Sequence, residues 1–291
     1  MIPAAKSDRI RLALPNKGRL SQPSAALLAE AGFRFEADDR RLFAPCRNYP
    51  LDLLFVRAED IPEYTQDGVV DLGITGSNLL QESGAQVRRM LGLGFGRCRL
   101  QVAVPGAAEI SHVGELSGQV VATSHPRITA RFLAERGVQA RLVEISGAVE
   151  VTPLLGVADA IVDLVSTGTT LATNGLRPLE TLLESEAELV SRTELSAERQ
   201  PLAEHIRLVL ASVIAARDKK YLMLNAPAGA VSAILGVLPG MGSPSVLQLA
   251  DPSMVAVHAV IDDAGIWDVL GPLRELGASS ILVLPIEKLI P

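Results

Sequence analysis

The segment of this chain best suited to chemistry is residues 159–174, with the sequence DAIVDLVSTGTTLATN. An apolar strand runs into a group of hydroxyl-bearing residues and then into helix-like sequence. Ser and Thr hydroxyls, a glycine that lets the backbone approach, and the first N–H groups of a helix can together cradle a phosphate. The Walker pattern G-x-x-x-x-G-K-[ST] is absent, and an ordinary βα turn with hydroxyl capping is the alternative. The residues of this hydroxyl loop are Ser166, Thr167, Gly168, Thr169 and Thr170.

Charged side chains stand close to this loop or at the ends of other predicted strands. Asp163 lies just before the hydroxyl loop, where its carboxylate could accept hydrogen bonds from ribose hydroxyls. Lys17 and Arg19 follow the first predicted strand, and Arg57 follows the second. Ligands of open α/β sheets collect at the carboxyl ends of the strands, so Lys17 and Arg19 could bind a second polyanion. For Lys17 and Arg19 alone, solvated loop charges are the simpler interpretation.

Composition narrows the class of protein. A length of 291 residues predicts about two domains, or three small ones. The 27 basic and 33 acidic residues give a net charge of −6 without a basic run, which disfavours nucleic-acid binding. No apolar run approaches the roughly 20 residues of a membrane helix, and the charged N-terminus is unlike a secretory signal. We therefore expect a cytoplasmic protein without membrane association.

Cysteine and histidine usage argues against a metal or disulfide framework. Cys46 and Cys98 lie far apart in the chain, which predicts two reduced thiols. None of the four histidines has a His or Cys neighbour at ligand spacing, so a zinc site is not expected. Each histidine is interpreted as a surface residue or as one satisfied by a hydrogen-bond partner.

The elements that must position these residues are predicted to form two α/β lobes. Short apolar strands at 9–14, 51–56 and 69–74 alternate with helices, the first capped by Ser21. We assign residues 1–98 to lobe I and residues 99–179 to lobe II. Residues 180–216 are predicted to be mostly helical, and residues 180–217 to return to lobe I.

The C-terminal part, residues 218–291, has a different pattern. After the charged joint Asp218-Lys219-Lys220, strands and helices are predicted in the order β-α-β-β-α-β, which is the ferredoxin-like split unit. Gly271 and Pro272 are expected to interrupt and kink the last helix, since proline inside a helix costs about 3 kcal/mol.

With these segments in order, the chain resembles the long form of the ATP phosphoribosyltransferase family, which catalyses the first step of histidine biosynthesis. The last two matching blocks correspond to the C-terminal regulatory domain of the family, which excludes its short form. The matching blocks are NKGRL (16–20), VRAEDIPEYTQDGVVDLGITGSNLL (56–80), GRCRL (96–100), ATSHP (122–126), GAVEVTPLLGVADAIVDLVSTGTTLATNGL (147–176), KKYLMLNAP (219–227) and GASSILVLPIEKLI (277–290).

The resemblance implies a fold and a reaction. The fold would be α/β: a two-lobed, periplasmic-binding-protein-like catalytic core with the site in its cleft, plus a C-terminal ferredoxin-like (α+β) regulatory domain. ATP would react through its adenine N1 with phosphoribosyl pyrophosphate to give N1-(5-phosphoribosyl)-ATP and pyrophosphate. Mg²⁺ would accompany the pyrophosphate and be held by phosphates, without dedicated protein ligands. The resemblance also implies homo-oligomers, dimers or hexamers, and inhibition by L-histidine and AMP.

Roles for individual residues follow from the same resemblance. The hydroxyl loop (residues 166–170) would hold the 5-phosphate, while Asp163 and Glu150 would meet the ribose hydroxyls. Histidine contacts in the regulatory domain are assigned to Ser279 and Ser280. Cations that would neutralise pyrophosphate or ATP phosphates are Lys17, Arg19 and Arg57, and further residues expected to line the cleft in lobe I are Asp71 and Thr75.

A different class of function remains as an alternative. Two-lobed α/β folds also bind solutes without chemistry, so the chain could be a non-catalytic ligand-binding sensor or a regulatory subunit. The site separates the two hypotheses, because a sensor of a neutral solute has no need of Asp163 beside the hydroxyl loop together with Lys17 and Arg57.

Overall fold

The computed structural model describes residues 9–36, 42–238 and 244–290, which form two compact units divided between Arg207 and Leu208. The strands are β1 (Ile10–Pro15), β2 (Phe43–Pro45), β3 (Leu51–Val56), β4 (Leu72–Gly76), β5 (Val87–Gly92), β6 (Cys98–Pro105), β7 (Val120–Thr123), β8 (Arg141–Glu144), β9 (Ala160–Val165), β10 (Leu176–Ser185), β11 (Ala187–Arg192), β12 (Lys219–Pro227), β13 (Ser245–Gln248), β14 (Met254–Asp262) and β15 (Ser279–Pro285). The α-helices are α1 (Ser21–Glu30), α2 (Ile61–Gln66), α3 (Ser77–Ser83), α4 (Pro126–Glu135), α5 (Thr169–Thr173), α6 (Arg199–Ala216), α7 (Val231–Val237) and α8 (Ile266–Glu275).

The first unit contains two sheets, one for each lobe. The sheet of lobe I has the order β2-β3-β1-β4-β11-β5, and the sheet of lobe II has the order β10-β6-β9-β7-β8. Three neighbouring strands of each sheet, β3-β1-β4 and β8-β7-β9, run parallel. The chain passes from lobe I to lobe II through residues 93–97 and returns through Glu186. The predicted two-lobed α/β fold is therefore confirmed.

Strand β1 shows why these segments pair as parallel sheets. Leu12, Ala13 and Leu14 are all buried, since the sheet covers β1 on both sides and helices cover its faces. Burial of each leucine side chain stabilises the fold by roughly 1.5–3 kcal/mol.

In helix α1, which follows, the predicted N-cap Ser21 is wrong: Ser21 is the first helical residue and Leu20 occupies the cap without a side-chain hydrogen bond.

Residues 180–216 are the largest error of the secondary-structure prediction. Only α6 is helical there, because β10 and β11 occupy residues 176–192. Strand β10 pairs antiparallel with β6 in lobe II, and β11 lies between β4 and β5 in lobe I. Pairing with strands distant in sequence decides the structure here, because the preference of a segment for a β-strand depends strongly on the strands that it packs against. Strand β2, helix α3 and strand β5 were not predicted.

The second unit is the split β-α-β-β-α-β fold. Its antiparallel sheet has the order β13-β14-β12-β15, and its core includes Leu222, Val257 and Leu273. The ferredoxin-like prediction is confirmed. The predicted interruption at Gly271 and Pro272 is wrong, because α8 continues to Glu275, with Leu273 buried in the core. The kink and the predicted domain boundaries stay predictions.

Three further findings concern the described residues. Cys46 and Cys98 are buried free thiols, as expected. No described helix is long and apolar enough to cross a membrane. The described residues contain no group of three or more His, Cys, Asp and Glu side chains that could hold a metal ion.

Asp71 joins several elements of lobe I. Its side chain is buried, with 1% of the residue exposed. One carboxylate oxygen accepts a hydrogen bond from Nη1 of Arg199 at 2.7 Å, and the other accepts one from the backbone N–H of Arg11 at 2.9 Å. The backbone carbonyl of Asp71 accepts a hydrogen bond from the N–H of Arg192. One carboxylate thus ties the start of α6 to β1 and β4.

Replacing Asp71→Ala is expected to lower the free energy of unfolding by about 3 kcal/mol. Removing one partner of a buried ion pair leaves the other charge uncompensated, and here it also leaves the Arg11 N–H without its acceptor. Urea unfolding of both variants measures the effect, with Asp67→Ala at an exposed position of the same lobe as the control. Equal stability of the Asp71 and Asp67 variants would contradict this role.

Candidate active site

A cavity of about 710 Å³ lies between the two lobes. Its lobe I wall is formed by the segments after β1 and β3 and by the start of α3. Its lobe II wall is formed by the segments after β7 and β8 and by the end of β9. These are the carboxyl ends of the parallel strands, where α/β sheets bind ligands. Three of the predicted cations line this cavity together: Lys17, Arg19 and Arg57.

The basic loop (residues 16–20) is held in place at the end of β3. Gly18 has a φ of +82°, a left-handed conformation that glycine adopts at little cost, and its carbonyl accepts a hydrogen bond from the N–H of Ser21. The N–H of Asn16 donates to the carbonyl of Val56 at 2.8 Å. The loop therefore stands beside Arg57. Three acidic side chains also line the cavity: Glu59, Asp60 and Glu144.

Asp163 and Glu150 provide a pair of carboxylates in lobe II. Burial raises the pKa of Asp163, and the negative charge of Glu150 raises this pKa further. The backbone N–H of Leu164, 2.7 Å from Oδ1, and the positive charge of Arg19 lower it. Because Glu150 and Arg19 both act on Asp163, the structure brings these three predicted residues into electrostatic reach of each other. A carboxyl group whose surroundings disfavour its ionised form in this way is typical of functional sites.

The hydroxyl loop (residues 166–170) follows β9 and leads into α5. Gly168 has a φ of +83° and stands at the N-cap of α5, as the sequence pattern predicts for a turn into a helix. Oγ1 of Thr167 lies 3.0 Å from Oγ1 of Thr169. Ser166 lines a second cavity of about 670 Å³ together with Arg97 and Arg99. The loop begins three residues after Asp163 and exposes its hydroxyls, an arrangement suited to a phosphate attached to a ribose.

Two residues predicted to line the cleft do not do so. Asp71 stands at the amino end of β4, opposite the end that faces the cavity, and is engaged by Arg199. Thr75 stands at the carboxyl end of β4 but is buried, and its hydroxyl donates to the carbonyl of Ala58 at 3.3 Å. Thr75 therefore supports a segment of the cavity wall, and Asp71 stabilises the fold.

Asn78 and His125 line the cavity, and sequence reasoning missed both. Nδ2 of Asn78 lies 2.8 Å from Nε2 of His125, so a buried hydrogen bond joins the two lobes. Burial lowers the pKa of His125, as does the charge of Arg19. Each residue stands two positions after the end of a short apolar strand, in the blocks GSNLL and ATSHP. The strand-end rule that found the cations would therefore have found them too.

Ser279 and Ser280 lie in the second unit, at the start of β15, and both are exposed. Ser280 has a φ of +49°, a left-handed conformation uncommon for residues other than glycine. The pairing of β12 with β15 changes register between Met223 and Asn225, opposite this strand start. The two serines thus stand at an irregular, accessible strand end, and their contact with histidine stays a prediction.

Mg²⁺ would fit this site as a companion of phosphates. No group of three or more His, Cys, Asp and Glu side chains in the described residues could hold the octahedral ion, so side chains would supply few of its oxygen ligands. Phosphate oxygens and water would supply the rest of its coordination.

Comparison with known proteins agrees with the geometry. A family model described as ATP phosphoribosyltransferase matches residues 57–212, and one described as the HisG C-terminal domain matches residues 216–288. The ATP phosphoribosyltransferase of Methanocella arvoryzae is 45% identical over 284 residues, which cover 97% of this chain and 99% of the relative. That of Cytophaga hutchinsonii is 41% identical, with coverage of 98% and 99%.

A solved structure, the ATP phosphoribosyl transferase (HisG:HisZ) complex from Thermotoga maritima, has a TM-score of 0.62 and 26% identity to this chain. The match covers 98% of that chain but 71% of this one. The C-terminal family model and the full-length relatives account for the remainder. The chain therefore belongs to the ATP phosphoribosyltransferase family, in its long form.

Proposed function

We propose that the cavity between the lobes transfers the phosphoribosyl group of phosphoribosyl pyrophosphate to N1 of ATP. The products are N1-(5-phosphoribosyl)-ATP and pyrophosphate, and the reaction is the first step of L-histidine biosynthesis. The observation that carries this proposal is the convergence of three lobe I cations on a cavity that reaches the end of β9 in lobe II, where the charge of Arg19 acts on Asp163. A sensor of a neutral solute would not need this combination.

Each part of the site has a role in the transfer. The hydroxyl loop (residues 166–170) holds the 5-phosphate, and Asp163 with Glu150 accepts hydrogen bonds from the ribose hydroxyls. As the bond from the anomeric carbon to pyrophosphate breaks, positive charge develops on the ribose, and fixed carboxylates stabilise it. Lys17, Arg19 and Arg57 neutralise the phosphates of pyrophosphate or ATP.

The nucleophile requires no general base. N1 of adenine carries a free lone pair, which forms the new bond to the anomeric carbon while the electron pair of the broken bond leaves with pyrophosphate. Catalysis is then mainly positioning and electrostatic stabilisation. We propose that phosphate oxygens of the pyrophosphate group would hold Mg²⁺, which would supply positive charge there, so the enzyme would depend on Mg²⁺ through its substrate.

Regulation and assembly extend the proposal. L-histidine would bind to the second unit, with Ser279 and Ser280 among its contacts, and AMP would inhibit by occupying the ATP subsite. The chain would form homo-oligomers, dimers or hexamers. We place the enzyme in the cytoplasm, where its two free thiols would remain reduced.

Replacing Asp163→Asn is expected to lower kcat by about a hundredfold or more, because the variant lacks the negative charge that stabilises the developing positive charge on the ribose. The measurement is phosphoribosyl-ATP formation from ATP and phosphoribosyl pyrophosphate with Mg²⁺. Asp67→Asn, at an exposed position of lobe I, is the control and retains activity. Undiminished turnover in the Asp163 variant would contradict the assigned role.

Replacing Lys17→Ala is expected to raise the KM for the substrate whose phosphates it binds, by about tenfold, through loss of a charge-assisted contact. Steady-state assays that vary each substrate in turn identify which one is affected. The matched control is Lys288→Ala, an exposed lysine of the second unit. If both KM values equalled those of the control, Lys17 would have no place in the substrate site.

The Asp163→Asn variant is also expected to be more stable than the parent chain at neutral pH. The folded state raises the pKa of Asp163, so the ionised carboxylate costs stability above that raised pKa and costs none below the pKa of the unfolded chain. The amide keeps the acceptor for the Leu164 N–H. Urea unfolding from neutral to acidic pH should show a stability gain that disappears as pH falls. A gain that persists or grows in acid would exclude this explanation.

A chain truncated after residue 217 is expected to retain turnover and to lose inhibition by L-histidine. The cavity and its lining residues lie in the first unit, whereas β12, which begins the sheet of the second unit, starts at Lys219. Turnover of both chains over a range of L-histidine concentrations tests this. Unchanged inhibition of the truncated chain would place the histidine site in the first unit.

A further inference from the structure

Helix α4 of lobe II has its first turn capped by a residue of lobe I. The first N–H groups of an α-helix have no acceptor within the helix, and His125 at the N-cap of α4 supplies none from its side chain. Instead, the carboxylate of Glu82 in α3 accepts hydrogen bonds from the N–H groups of Arg127 at 2.7 Å and Ile128 at 2.9 Å. A negative charge at this position also interacts favourably with the helix dipole.

Further contacts surround this cap. The Arg127 guanidinium donates a hydrogen bond to the carbonyl of Ser83, and Nη2 of Arg131 donates to the side-chain oxygen of Gln81 at 3.2 Å. Gly84, which ends α3 with a φ of +69°, lies against Arg127: a Cβ there would be 2.9 Å from the guanidinium. The glycine therefore allows α3 to end in a left-handed conformation, and it leaves room for Arg127 of lobe II to lie close to lobe I.

A chain of hydrogen bonds links the same helices to the return crossover. The hydroxyl of Ser185, next to Glu186, donates to Oδ1 of Asn78 at 2.8 Å. Nδ2 of Asn78 then donates to Nε2 of His125, 2.8 Å away. Nε2 accepts only if the imidazole is neutral with its proton on Nδ1, which lies 2.9 Å from Oγ of Ser124. With this assignment, each of these hydrogen bonds joins one donor to one acceptor.

We propose that Glu82 and Asn78 are positioning residues, which hold lobe II against lobe I at the spacing that the cavity requires. This inference rests on the proposed function, because it concerns substrates that contact both lobes. The cations of the cavity wall belong to lobe I, whereas the carboxylate pair and the hydroxyl loop belong to lobe II. A substrate that contacts both lobes binds only to enzyme molecules in which lobe II is held against lobe I. Its apparent affinity therefore depends on the fraction of the free enzyme in which the two lobes are joined in this way.

Loss of the Glu82 cap therefore has a specific kinetic signature. Substrate binding itself favours the joined lobes, so saturating substrate restores them and kcat changes by less than about twofold. The KM values for both substrates rise by about tenfold or more, within the range of ordinary coupling between conformation and binding. A residue that contacted one substrate alone would change the KM of that substrate only.

The test begins with the full chain free of ligands. Amide hydrogen exchange is measured for the peptide that contains the N–H groups of Arg127 and Ile128. These amides should exchange at least tenfold faster in Glu82→Ala than in the parent chain, because water replaces their acceptor. Glu82→Gln, which retains the shape and one acceptor oxygen, should lie between the two. The control is Glu135→Ala at the exposed end of the same helix, which leaves exchange in the first turn unchanged.

Steady-state kinetics of the same variants complete the test. The proposal expects a joint rise of both KM values in Glu82→Ala with little change in kcat. Unchanged exchange at Arg127 and Ile128 overturns the cap, and faster exchange with unchanged KM values overturns its positioning role. A parent chain that makes no phosphoribosyl-ATP overturns the proposed function instead, while hydrogen exchange still decides whether Glu82 caps α4.

Discussion

The two crossings between the lobes constrain the rest of the first unit. Leu93 and Phe95 lie beside the return segment, where the N–H of Leu93 donates to the carbonyl of Ala187 and the N–H of Ala187 donates to that of Phe95. Gly96 packs against Leu20 so closely that a Cβ would come within 2.2 Å of its side chain. Since Leu20 ends the basic loop, the same crossing that joins the lobes also fixes where Lys17 and Arg19 stand.

In lobe II, the carboxylate of Asp163 lowers the stability of the fold when it is ionised. Asp163 is half-buried, stands within the electrostatic reach of Glu150 and has one local backbone donor. Nothing in the packing of β9 requires a carboxylate, and the buried neighbours Ile161 and Val165 show what the strand accepts elsewhere on that face. Retaining an unfavourable charge at a cavity is typical of sites where activity and stability compete.

The local sequence was sufficient to predict those strands and site residues whose pattern lies within a single segment. Strands β3 and β9 occupy the predicted residues because short apolar runs bounded by polar turns specify them. The cavity cations followed from the strand-end rule. The cleft position of Asp71 was inferred from the family resemblance, but Asp71 precedes β4, at the end of the strand away from the cavity. Strands β10 and β11 and the contact between Asn78 and His125 depend on partners about fifty or more residues away, which local patterns do not contain.

The position of β11 has a consequence for how the chain folds. This strand fills the place between β4 and β5 in lobe I, yet the whole of lobe II, from β6 to β10, separates β5 from β11 in sequence. During synthesis, the lobe I sheet therefore presents two unpaired edges until the ribosome has released residues 187–192. Such non-local pairing slows folding and leaves strand edges open to association with other chains. Lobe II can form its sheet first, so the N-terminal lobe is the last part of the first unit to be completed.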